Sequence, residues 1–126
     1  MIDLDVVRLR YAEAGNRLGL RGAADEFAEL LNLNKHCGNS LKIDAKGQVS
    51  FVSAEDDRGN ESVEFSTNDE QHLIDFLLER LVRSCAVRDL INEERVREMT
   101  TDEYTSALIG KVREYQNRLN FSDKLR

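Results

Sequence analysis

Three short runs, Leu41-Lys42-Ile43, Val49-Ser50-Phe51 and Val63-Glu64-Phe65, put an apolar residue at every second position in the middle of a 126-residue chain. That alternation marks strands with one buried face. Asp44-Ala45-Lys46-Gly47 has the length and the glycine of a tight hairpin connection, and Glu55-Asp56-Asp57-Arg58-Gly59-Asn60 makes a longer turn before the third run. An antiparallel three-stranded meander is predicted. Ser50, Ser53, Ser62, Glu64 and Ser66 fall on the intervening positions, so one face is polar and the other needs a cover of helices. Leu41, Ile43, Val49, Phe51, Val63 and Phe65 are expected to share that buried face with Leu73, Leu77, Leu81 and Leu108.

The flanking segments supply the cover. Upstream, Val6, Val7, Leu9, Tyr11, Ala14 and Leu18 mostly recur at three and four residues, predicting a helix from Asp3 to Leu18 with Gly19 as its stop. Phe27, Leu30 and Leu31 predict a second, brief helix from Ala23 to Leu31, and Asn32 to Asn39 reads as loop. Downstream, Thr67 with Glu70 can form a capping box, Asn68 being the alternative cap. A long helix then runs to about Asn92 with a broad apolar stripe. Glu93 to Glu98 is expected to continue that helix by a turn before a bend. Thr100 and Glu103 can cap a last helix, whose buried side is Tyr104, Leu108, Val112, Tyr115 and Leu119. The whole chain, 1–126, reads as one α+β domain: an N-terminal helix or two, the meander, and two C-terminal helices on one sheet face.

Composition narrows the function. Eighteen basic against 24 acidic residues leave a net charge of −6, which does not attract phosphate backbones or anionic lipid. A basic protein partner is the better expectation, with no nucleic acid and no membrane. No run approaches the roughly 18 apolar residues of a membrane span, and Met1-Ile2-Asp3-Leu4-Asp5 has neither the basic nor the apolar region of a Sec-type signal, so a cytoplasmic protein is expected. Cys37 and Cys85 are too few for a disulfide framework and should be reduced thiols.

Catalytic constellations are missing from the pattern. His36 and His72 are the only histidines. His36 beside Cys37 is not the spacing of a zinc site, and His72 lies among Asp69, Glu70 and Gln71 as a surface residue. Cys85 falls between Val82 and Ala86 on the apolar stripe, as a buried hydrophobe rather than a nucleophile. No serine stands in a G-x-S-x-G context, and Gly19 with Gly22 makes no phosphate loop. No catalytic residue, metal or cofactor is expected. Ala24-Asp25-Glu26-Phe27-Ala28-Glu29 puts three carboxylates where the recognition helix of a helix-turn-helix needs Arg, Lys, Asn or Gln. A small helix-turn-helix-like regulator is therefore the runner-up, and an enzyme using Cys37 or carboxylates comes third. The densest acidic cluster, Glu55, Asp56, Asp57, Glu61 and Glu64, is the candidate partner-binding patch, gathered at one end of the sheet with Glu64 on its polar face.

The junction Phe65-Ser66-Thr67-Asn68-Asp69-Glu70, the helix Leu73-Ile74-Asp75-Phe76-Leu77-Leu78-Glu79, the small Ala86 followed by the stretch Asp89 to Arg95, and the helical tail reaching Leu119 resemble immunity protein family 63. These are bacterial immunity proteins of polymorphic-toxin and contact-dependent growth inhibition systems. The resemblance spans nearly the whole chain. It implies neutralisation of a cognate toxin's C-terminal domain by tight binding without catalysis.

Overall fold

The structure, a computed structural model, describes residues 2–32, 38–54 and 61–124, with side chains as far as Arg118. Its elements in chain order are helices α1 (Leu4–Arg17) and α2 (Ala23–Leu31), strands β1 (Gly38–Ile43), β2 (Val49–Ala54) and β3 (Glu61–Thr67), then α3 (Glu70–Ile91), a short 3₁₀ helix (Glu94–Glu98) and α4 (Thr101–Lys124). The fold is α+β, with a three-stranded antiparallel sheet in the order β1-β2-β3.

Local chemistry sets the boundaries. Asp3 caps α1 by accepting from the backbone N–H groups of Asp5 and Val6. The helix stops at Gly19, whose φ of +72° a side chain would resist. In the first hairpin one Asp44 carboxylate oxygen accepts from the amides of Lys46 and Gln48, at 2.8 and 3.0 Å, holding the turn closed. The cap of α3 corrects the expected box: Asp69 accepts from the His72 amide, while Thr67 Oγ1 accepts from the Asp69 amide one step earlier. Both oxygens stand within reach of orphan amides, and the ionised one takes the position nearest the positive helix end. At α4 the box forms as expected, Thr100 and Glu103 each accepting the other's amide at 3.2–3.3 Å.

The connection between α3 and α4 differs from expectation. Helix α3 ends at Ile91, and Glu94–Glu98 turns separately as 3₁₀. Glu93 is held in an extended conformation by Arg95 at 2.6 Å and Lys111 at 3.2 Å, which diverts the chain.

One core cluster joins all layers. Tyr11 and Phe27 from α1 and α2, Phe51 from the sheet, and Leu73, Leu77 and Leu81 from α3 are almost fully buried, each contributing about 1.5–3 kcal/mol of burial free energy. Leu41, Val49 and Phe51 line the buried sheet face and Phe65 is partly buried on it, whereas Leu108, expected there too, is partly buried against the core cluster from α4, facing α3. Two expected strand residues do not belong either. Ile43 is 47% exposed at the end of β1 and Val63 is 63% exposed. For Val63 the cause is a bulge: Phe51 pairs with Phe65, but the next residue, Val52, pairs with Val63, so Glu64 is the extra residue on β3. One inserted residue reverses the side on which everything before it falls.

Candidate functional site

The bulge decides where the candidate acidic patch goes. Glu64 does not stand on the polar face. It meets Arg80 of α3 at 3.3 Å, and the same guanidinium lies 4.4 Å over the Phe51 ring. Glu61 instead reaches across β2 to Lys42 of β1 at 2.6 Å. Both carboxylates keep about 40% of their side-chain surface exposed, but each already has a cationic partner. Glu55, Asp56 and Asp57 lie outside the described residues, as do His36 and Cys37.

Cys85 is buried, its Sγ 3.7 Å from the Arg21 carbonyl oxygen. His72 is exposed in the first turn of α3. Tyr11 is buried against Phe27, and its hydroxyl has no hydrogen-bond partner among the described residues. Burial, reinforced by the nearby Glu26 charge, pushes its pKa far up. Burial also raises Glu26, against the opposing pull of Arg80 and Arg88. Tyr115 of α4 donates to Asp89 of α3, which together with burial pushes the phenol up to about 12. Arg21 from the α1–α2 connection approaches the same Asp89 at 3.6 Å, and Arg118 lies 4.9 Å from the Tyr115 ring centroid. This node fastens α4 to α3. Among the described residues no three His, Cys, Asp or Glu side chains are grouped to hold a metal ion. Among the described residues no helix is long and apolar enough to cross a membrane.

A surface that sequence reasoning missed lies on α3 beyond Arg80. The first half of α3 is covered by the sheet: Phe76 stacks on Phe65 with centroids 4.3 Å apart and meets Phe51 edge-on at 5.1 Å. The C-terminal half has no such cover among the described residues. There Val87, with Leu108, Ile109 and Val112 of α4, lines an open groove of about 350 Å³ flanked by Arg83 and Arg113. A second depression of about 370 Å³ continues along α3 past Ser84, Val87, Arg88 and Ile91. Ile91 and Ile109 stand 60% and 48% exposed. The signal available in the sequence was the spacing Arg80, Arg83, Val87, Ile91, which falls on one helical face. Comparison with known protein families, curated proteins and solved structures finds no match, so the meaning of this surface rests on its own chemistry.

Proposed function

We propose that this chain is a protein-binding module that neutralises a cognate bacterial toxin domain by covering it, without catalysis. The observation that carries the binding reading is the open α3–α4 groove, where Ile91 and Ile109 meet solvent beside arginines. A net charge of −6 and the resemblance to immunity proteins support the choice of partner. Toxin domains that act on nucleic acid carry basic surfaces, which an acidic protein masks well. Within the candidate patch Glu61 and Glu64 are already ion-paired, so the test of the patch is made at Asp56 and Asp57. The regulator reading gains no support from α2, whose exposed positions include Ala24, Asp25, Ala28 and Glu29 rather than groups that read base edges.

The experiment is co-expression with the toxin domain encoded by the neighbouring upstream reading frame, scoring cell survival and co-purification. Survival with a stable complex is the expected result. Replacing Asp56→Lys together with Asp57→Lys should slow association and flatten its salt dependence. An absence of both rescue and complex formation would contradict the toxin reading.

A further inference from the structure

We infer that the α3–α4 groove beyond the sheet receives an acidic amphipathic helix of a protein partner. This deepens the binding-module reading and rests on it, but it does not require the partner to be a toxin.

The groove has the shape and the chemistry for such an occupant. Its walls are two helices that run antiparallel, as the successive pairs Lys111–Glu93 and Tyr115–Asp89 show. A third helix laid between them completes a bundle by packing side chains into the furrow. Leu108 and Val112 form a half-buried floor, and Val87, Ile91 and Ile109 offer apolar contacts along its length. The charges beside this furrow run against those of the chain as a whole. Arg83 and Arg113 have no ion pair among the described residues, whereas Arg88 is turned toward the Arg21 carbonyl oxygen and the Cys85 sulfur and pulls on Glu26. The described residues lining the two depressions include no carboxylate, in a chain with 24 acidic and 18 basic residues. Two arginines without ion pairs among the described residues, Arg83 and Arg113, beside apolar side chains are matched by a helix with carboxylates flanking an apolar stripe.

Other occupants fit less well. An isologous dimer through this face would set one sign of charge against itself. Nucleic acid would have to approach a chain of net charge −6 and would find no aromatic stacking surface among the described lining residues.

The test uses the full-length chain and a designed peptide about four helical turns long, with leucines at every third and fourth position and glutamates between. The same peptide with lysines for the glutamates serves as control. Amide chemical shifts of the ¹⁵N-labelled protein should move in residues 83–91 and 108–116 with the glutamate peptide and not with the lysine one. Replacing Arg83→Glu together with Arg113→Glu should weaken binding about tenfold or more, as should Ile91→Ser with Ile109→Ser. Circular dichroism and melting confirm that each variant folds. Equal binding of the two peptides, shifts confined to other surfaces, or a parent protein that sediments as a dimer and becomes monomeric on Ile109→Ser would overturn the proposal. Binding to phosphatidylserine vesicles that Arg83→Glu with Arg113→Glu abolishes, with no binding of the glutamate peptide, would also overturn it in favour of a lipid surface. Toxin capture read in parallel separates the two proposals. Peptide binding without toxin capture removes the toxin and leaves the groove, whereas toxin capture without peptide binding does the reverse.

Discussion

The two halves of α3 carry the same broad apolar pattern and meet different fates. From Leu73 to Leu81 the helix is enclosed by α1 and the sheet, and its sheet-facing edge is closed by Phe76 on Phe65 and by Arg80 on Phe51. From Arg83 to Ile91 the helix keeps a buried side, Cys85, Ala86 and Leu90, but the edge that continues from Phe76 and Arg80 meets groove and solvent. The difference shows that a wide stripe reports how much of a helix is able to be covered, and the length of the neighbouring sheet settles how much is covered. Both halves bury a core side, but only the second leaves an edge open, and that is where the proposed groove lies.

The largest effect should come from the enclosed half. Phe51→Ala or Leu77→Ala removes a nearly fully buried side chain and should cost about 2–5 kcal/mol through lost transfer energy and a cavity, read from urea denaturation midpoints. Near-parental midpoints for both would dissolve the contrast. A smaller loss is expected at Gly15, where an added Cβ would stand 3.0 Å from the Ala23 Cβ and 3.6 Å from Leu81. Gly15→Ala should therefore destabilise by about 1–2 kcal/mol, although alanine is the better helix former, because the Ala23 methyl is fixed to the backbone of α2 and has no rotamer to escape into. Were this variant more stable than the parent, the α1–α2 approach would be looser than the geometry shows. Thr100→Ala removes one arm of the α4 capping box and should cost about 1 kcal/mol, with faster amide exchange at the start of α4 and little change in the sheet.

An effect confined to alkaline pH sharpens the comparison at the seam between α3 and α4. The Tyr115 phenol has its pKa raised from 10.0 to about 12 by its bond to Asp89 and by burial. The folded chain therefore holds this proton after the unfolded chain has released it. Its stabilisation is whole below about pH 10 and is lost as the pH rises toward about 12. Tyr11, also raised by burial, adds to the same alkaline slope. Tyr115→Phe should retain the Tyr11 part and lose its own, giving a shallower fall of the urea midpoint over that interval. Identical slopes in the two proteins would place Tyr115 outside the linkage.

Much of this architecture was legible before any coordinates. Alternation located the three strands, three-and-four spacing located the helices, and Thr100 with Glu103 announced the start of α4. What stayed hidden depended on single-residue phase or on partners distant in sequence. Nothing in Val63-Glu64-Phe65 distinguishes a regular strand from one carrying a bulge, since alternation survives in the letters while the pairing slips. That slip moved Val63 off the core face and turned Glu64 to Arg80, 16 residues away. Likewise Thr67, Asn68 and Asp69 are all cap-forming residues in succession, and the letters alone do not select Asp69, which the structure uses. The groove was illegible for a related reason: Arg83 and Arg113 lie 30 positions apart, and each alone reads as a solvated surface charge.

The proposed division of α3, a half closed within the fold and a half with an edge open for binding, is tested most directly by one paired measurement on Ile91→Ser with Ile109→Ser: stability from urea denaturation and affinity for the glutamate peptide, each against the parent. The unfolding free energy should stay within about 0.5 kcal/mol of the parent, as for exposed positions, while affinity falls about tenfold or more. A stability loss on the scale of Phe51→Ala, or an affinity that does not change, would contradict that division.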